Sequence, residues 1–203
     1  MCIISTNNPM TERGMMDQYD LIVIGAGPGG YVAAIRAAQA GLKTVIIDRQ
    51  WLGGVCLNVG CIPSKALLKN AEVAHLLRER GRDFGFTVSD LNLDYSQAVR
   101  RSRQVSDRLT KVVGFLMKKN NIEVVMGKGR FSDPHSILVE LPDGNERQLV
   151  AQHIIIATGS SVINIPGMEP DGKTILTYQD AFLQETLPGR VLTGRVTQVN
   201  PAT

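Results

Sequence analysis

The first clear hydrophobic signal is Tyr19-Asp20-Leu21-Ile22-Val23-Ile24, a β-branched run without polar alternation. Such a run is expected of a strand buried on both faces. It passes into Gly25-Ala26-Gly27-Pro28-Gly29-Gly30 and then into an alanine-rich stretch, 31–40, that predicts a helix stopping at Gly41. Thr44-Val45-Ile46-Ile47 repeats the strand pattern and ends on Asp48. A second helix is predicted to begin just after Cys61, with Pro63 in its first turn. Its apolar stripe would be Leu67, Leu68, Ala71, Ala74 and Leu77, and its end near Gly81. A third helix, capped by Asp94, would turn Ala98, Val105, Leu109, Val112 and Leu116 to one face. Apolar runs at 122–126, 137–141 and 148–151, with turn signals such as Pro142-Asp143-Gly144, predict a small antiparallel meander. A buried strand over 153–157 then resumes the sheet and enters Thr158-Gly159-Ser160. The order predicts an α/β fold: a parallel sheet plus a small antiparallel β-meander.

Whole-chain quantities narrow the class. The chain has 203 residues, enough for one core or for one domain and part of another. No apolar run approaches the roughly 20 residues that span a bilayer. Residues 1–17 are polar, lack a signal-peptide core, and are expected to be a disordered leader. Arg100, Arg101, Arg103, Arg108 and Lys111 share the polar side of the third helix. With a net charge of only +3 they read as a solvated face, not a nucleic-acid surface. Three cysteines cannot form a secreted disulfide framework, so a reducing, cytoplasmic setting is expected.

The glycine segment has the context that a bare G-x-G-x-x-G lacks. It lies between a strand and a helix, and an acid, Asp48, follows Gly27 by 21 residues. Gly25 permits a tight turn, and Gly27 lets backbone amides approach a pyrophosphate. Gly30, with Ala33, Ala34 and Ala37, allows the helix to pack closely on the strand. The helix start offers unpaired N–H groups and a positive dipole end, and Asp48 is expected to accept from a ribose diol. The unit reads as a dinucleotide site, with NAD and FAD both open.

Two cysteines flank a bend. On one regular helix, Cys56 and Cys61 would lie roughly 8–9 Å apart on faces about 140° different. A disulfide needs about 4.4–6.8 Å, so the pair can close only if Gly60 bends the segment. Cys61 at a helix N-terminus, with Lys65 one turn later, describes a reactive dithiol. Structural zinc would want a second ligand pair, which His75, His135, His153 and Cys2 do not supply. Two inert thiols would leave the neighbouring glycines and Lys65 unexplained.

Gly53-Gly54-Val55-Cys56-Leu57-Asn58-Val59-Gly60-Cys61-Ile62-Pro63-Ser64-Lys65 resembles the redox segment of the pyridine nucleotide–disulfide oxidoreductases, and within them the dihydrolipoamide dehydrogenase branch. Mercuric reductases are a near alternative. The resemblance covers about 19–190 and implies a Rossmann-like FAD-binding domain over 18–190. It implies FAD held by Gly25, Gly27, Pro28, Gly29, Gly30, Asp48 and Gly54, with further contacts at Gly129, Thr158, Gly159 and Ser160. It also implies a Cys56–Cys61 disulfide that passes electrons from dihydrolipoamide to FAD and on to NAD, with Lys65 near the flavin. The implied partners are the lipoyl domain of a 2-oxoacid dehydrogenase complex and a second copy of the chain. After Arg190 the pattern departs. Residues 191–203 start a strand but lack the second glycine fingerprint, so they are expected to be a stub where an NAD domain would begin. The chain therefore reads as a fragment. A non-catalytic FAD-binding or interaction module with an idle dithiol is the alternative from another class.

Overall fold

The computed structural model describes residues 2–5 and 17–191, the former as backbone only. Two compact units divide it: 1–58 with 106–160, and 59–105 with 161–203. The stretch 18–190, expected as one FAD-binding domain, runs through both.

The first unit is built on one sheet. Its strands are β1 (Cys2–Ser5), β2 (Asp17–Ile24), β3 (Thr44–Asp48), β4 (Glu123–Met126), β5 (Lys128–Asp133), β6 (Ser136–Glu140) and β7 (Glu146–Ile156). They run in the order β4-β3-β2-β7-β6-β5, with β1 also paired to β7. β2, β3, β4 and the end of β7 are parallel, Ile22 facing Val45 on one side and Ile154 on the other. The non-alternating runs behave as expected: Leu21, Ile22, Val23 and Val45, Ile46, Ile47 are all buried. Each such side chain stabilises the fold by about 1.5–3 kcal/mol relative to exposure. Helix α1 (Pro28–Gln39) packs on β2, where Gly30 stands against Val23. Ile137 and Val139 of the meander join Ile22, Val45, Ile47, Val125 and Ile154 in the core.

The meander differs from the sequence reading. The run at 122–126 is not part of it, because β4 pairs in parallel with β3. Its third member is β5, whose polar sequence Lys-Gly-Arg-Phe-Ser-Asp is held as a strand by antiparallel pairing to β6. The runs at 148–151 and 153–157 fuse into β7, which keeps β2 on one edge and takes β6 and then β1 along the other. β1 also corrects the disordered leader within its described part, since Cys2–Ser5 is a strand in register with 153–156.

Helix α2 (Gly54–Val59) closes the early part of the first unit. The second unit contains helix α3 (Cys61–His75), continued by a wide turn over Leu76–Arg80 and a tight one over Gly81–Phe84. The end near Gly81 is as expected, and Pro63 and Ala66 are buried. Leu68 is 68% exposed and Ala71 is exposed, so the buried stripe is narrower than the sequence suggests. Asp94 caps helix α4 (Tyr95–Lys119) as expected, its Oδ1 accepting from Gln97 N–H at 3.1 Å. The buried face of α4 is Val99, Ser102, Ser106, Val113 and Met117, one residue on from the predicted one. Serines misled the pattern. Ser102 is buried at no polar cost because its hydroxyl donates to Val99 O at 2.7 Å. Short helix α5 (Tyr178–Leu183) carries a reciprocal cap between Thr177 and Asp180. Among the described residues no helix is long and apolar enough to cross a membrane. The expected stub at 191–203 lies, beyond Val191, outside the described residues.

Candidate functional site

The glycine turn stands where β2, β3 and β7 end. Gly25 N–H donates to Ile47 O at 2.7 Å, and Ala157 N–H donates to Ile24 O at 2.7 Å. At Gly25 φ is +102°, and a Cβ would lie 2.2 Å from Ala157 O. At Gly30 a Cβ would lie 1.7 Å from Gly25 O. The packing of the protein itself demands these two glycines.

Gly27 and Gly29 are different. A Cβ on either would meet no protein atom closer than 4.0 Å, and Gly27 has an ordinary extended φ of −72°. Nothing in the fold requires them to lack a side chain. They line an open cradle at the start of α1, where Gly30 and Tyr31 N–H both donate to Gly27 O at 2.9 Å and helix geometry leaves the earlier N–H groups without an acceptor inside the helix. Pro28 opens that helix, where its missing N–H and preset φ cost nothing. A phosphate group fits this set of donors.

The start of α2 braces the cradle. Gly53 N–H donates to Ala26 O at 2.8 Å, and a Cβ on Gly54 would lie 2.6 Å from Gly27 Cα. Asn58 fixes this loop, its Nδ2 donating to Leu52 O at 3.1 Å and to Gly54 O at 2.8 Å. Sequence reading missed Ala26, Gly53 and Asn58. Of these, only Asn58 left a signal, as a polar residue inside an otherwise apolar turn.

Asp48 lies at the end of β3, beside the turn. Its Oδ2 accepts from Ala26 N–H at 2.7 Å, and its Oδ1 accepts from Gln50 and Trp51 N–H at 2.8 and 3.0 Å. Gly127 N–H donates to its carbonyl at 2.8 Å. Thr158, Gly159 and Ser160 follow β7, exposed, with Thr158 Cα close to the Gly25 turn. Gly159 has φ +71° and open space around its missing Cβ. Gly129 lies on β5, where a Cβ would come within 3.2 Å of Ile137 Cγ2. A packing reason therefore accounts for that glycine.

The cysteine segment is helical on both sides of a break. Cys56 is half-buried in α2. Gly60, with φ −134° and ψ −108°, interrupts the helix and supplies the expected bend. Ser64 Oγ donates to Gly60 O at 2.5 Å and holds the start of α3. Cys61 is the exposed first residue of α3, and Lys65, also exposed, follows one turn later on the same side. Cys56 and Cys61 thus stand on either side of the Gly60 bend. Among the described residues no group of three or more His, Cys, Asp or Glu could hold a metal ion.

Comparison with known proteins gives a consistent picture. The model of the pyridine nucleotide-disulphide oxidoreductase family matches residues 19–195. Dihydrolipoyl dehydrogenase of Mycobacterium tuberculosis is 47% identical over 177 residues, covering 87% of this chain and 38% of that protein. The same enzyme of Chlorobaculum tepidum is 48% identical over 171 residues, covering 84% of this chain and 36% of that protein. Among solved structures, LpdA of Mycobacterium tuberculosis superposes with a TM-score of 0.76 at 28% identity, covering 83% of this chain and 38% of that one. The flavoprotein disulfide reductase RclA of Escherichia coli gives 0.69 at 26% identity, covering 86% of this chain and 36% of that one. The chain thus spans under two fifths of the length of these relatives.

Proposed function

Because the chain belongs to the pyridine nucleotide–disulphide oxidoreductase family, we propose that it is the FAD-binding part of a flavin-dependent disulfide oxidoreductase of the dihydrolipoamide dehydrogenase kind. The observation that carries this reading is the cradle at Gly27 and Gly29, two glycines that the protein's own packing leaves unexplained. A dinucleotide pyrophosphate against the start of α1 explains them. Gly25, Gly27, Pro28, Gly29, Gly30, Asp48 and Gly54 would hold that end of FAD, and Gly129 and Thr158, Gly159, Ser160 would take further contacts.

Cys56 and Cys61 would form the redox pair. In the oxidised pair, a thiolate of dihydrolipoamide attacks the Cys56 sulfur, the Cys56–Cys61 bond breaks, and Cys61 leaves as thiolate. The second lipoyl thiol then displaces Cys56, lipoamide departs as a cyclic disulfide, and two electrons remain on the cysteines. When bound, FAD would supply the two-electron redox chemistry that links this pair to NAD⁺. Lys65, on the Cys61 side of α3, places a cation where thiolate charge develops. The full protein's partners would be a lipoyl domain of a 2-oxoacid dehydrogenase complex and a second copy of itself, in the cytoplasm.

The test is reconstitution with FAD, followed by gel filtration and a visible spectrum. Retained flavin that is bleached by a dithiol supports the reading, and bleaching should be lost in C56S and C61S. Lys65→Ala should slow bleaching while changing stability by only about a few tenths of a kcal/mol. A chain that never retains flavin overturns the proposal.

A further inference from the structure

The loop before Cys56 meets the phosphate cradle through backbone alone. Gly54 stands against Gly27, and a Cβ on Gly54 would lie 2.6 Å from Gly27 Cα. Such a contact has no interlocking side chains to keep it in place, so hydrogen bonds must hold it. One is direct, from Gly53 N–H to Ala26 O at 2.8 Å. The loop that provides this bond is a poor anchor by itself. Gly53 and Gly54 are consecutive residues in the left-handed region, with φ of +89° and +60°. Glycine loses more backbone freedom on ordering than any other residue, and here two stand in series.

Asn58 supplies what the loop lacks. It is half-buried on α2, and its Nδ2 carries two hydrogens, which serve two carbonyls of the loop. One is Leu52 O at 3.1 Å and the other is Gly54 O at 2.8 Å. The first belongs to the peptide entering Gly53, the second to the peptide leaving Gly54. A single amide group therefore clamps both ends of the left-handed pair. The Leu52–Gly53 peptide is held twice over: Asn58 takes its carbonyl, and its N–H is the donor to Ala26 O.

We propose that Asn58 is a positioning residue of the dinucleotide site. By fixing the Leu52–Gly53 peptide it aims the Gly53 N–H at Ala26 and keeps Gly54 seated on Gly27. The cradle then has its phosphate-receiving shape before a ligand arrives. Asn58 acts through Gly53 and Gly54, not by touching the ligand. The proposal rests on the dinucleotide reading given above and adds a residue that lies outside the glycine turn. Ordering the loop in advance raises affinity by removing that cost from the binding step.

The experiment uses the full chain, with ADP as the probe. In the ligand-free protein, hydrogen exchange followed by nuclear magnetic resonance should find the Gly53 amide protected. N58L keeps the approximate shape of the side chain and removes both donors. It should speed Gly53 exchange about tenfold or more, while Gly25, whose N–H donates to Ile47 O, stays as it was. Calorimetry should show ADP binding weakened about tenfold in N58L. Gly53 and Gly25 responding alike, accelerated or not, overturns the proposal, and so does release of Gly53 with ADP affinity unchanged. The unmodified chain decides the matter even if N58L fails to fold. Its Asn58 side-chain protons should exchange about tenfold more slowly than those of exposed Asn92, and equal rates overturn the proposal. Failure of the unmodified chain to bind ADP at all overturns the dinucleotide reading, and this proposal with it.

Discussion

The two ends of the parallel strands are built from different materials. Where β2, β3 and β7 finish, backbone forms the surface: Gly25, Ala26 and Gly27, braced by Gly53 and Asp48 and left open outward. Where β2, β4 and β7 begin, side chains close the sheet. Glu123 accepts from Arg147 Nη1 at 2.6 Å and from the Tyr19 hydroxyl, and Arg147 Nη2 donates to that hydroxyl at 3.3 Å. Lys43 Nζ lies 4.9 Å from the centre of the Tyr19 ring. An end made of side chains can lose one member and relax. An end made of backbone has no atom to spare, and there a single methyl group changes the outcome.

The sharpest break in this comparison is Gly30→Ala. Its new Cβ would overlap the Gly25 carbonyl, so either α1 or the turn must move. We expect a stability loss on the order of 3 kcal/mol, read from denaturant unfolding, together with loss of flavin binding. A loss below about 1 kcal/mol would mean that the close packing of α1 on β2 matters little. Gly27→Ala sharpens the contrast, because its Cβ would meet nothing closer than Gly54 Cα at 4.0 Å. Stability should stay within about 0.5 kcal/mol while FAD affinity falls about tenfold, near 1.4 kcal/mol. Unchanged affinity would remove the cradle from the binding site.

The opposite end should respond more weakly. Arg147 and Glu123 have side chains 30% and 42% exposed, so solvent screens their ion pair. A double-mutant cycle on Glu123→Gln and Arg147→Met should give a coupling of about 1 kcal/mol or less, with FAD affinity unchanged. Acid gives the smallest effect and the control. Asp94 is held below the usual carboxylate value of 3.8 by the Ser96 hydroxyl and the Gln97 N–H. The Thr177 side chain and N–H do the same for Asp180. A lowered folded-state value means that the charged cap stabilises at pH above about 4. That contribution is lost as the pH falls through the folded value. Helix content followed by circular dichroism should therefore begin to fall below about pH 4, and D94N and D180N should flatten that slope without changing FAD affinity.

The same contrast explains what the sequence disclosed. β2, α1, β3 and their glycines were legible because each signal is local: an apolar run, a turn residue, an acid at a strand end. The bend between Cys56 and Cys61 was legible for the same reason, through Gly60 and Pro63. β4 was misplaced because its partner, β3, lies far along the chain, and no local pattern records which edge a strand will join. β5 left no apolar signal, since pairing with β6 holds it and its side chains are mostly exposed. The face of α4 was misread by one residue because Ser102 and Ser106 look polar in sequence and are buried in the fold. Asp48 was recognised as important, but a one-letter code does not say whether its oxygens point to a ligand or to the neighbouring turn. The Thr177-x-x-Asp180 cap of α5 was a readable signal that the hydrophobic pattern passed over.

The place of β7 has a consequence for how the chain folds. The centre of the sheet joins Ile24 to Ile156, and the first strand–helix–strand unit cannot close its inner edge until that late segment arrives. Contacts so distant in sequence carry the loop-closure cost that slows folding, and sheets of this kind form after their local helices. During synthesis β2 therefore waits with one edge unpaired, beside an apolar surface that is still uncovered. A nascent chain stopped before residue 146 should be captured by holdase chaperones, and one released after residue 160 should escape them.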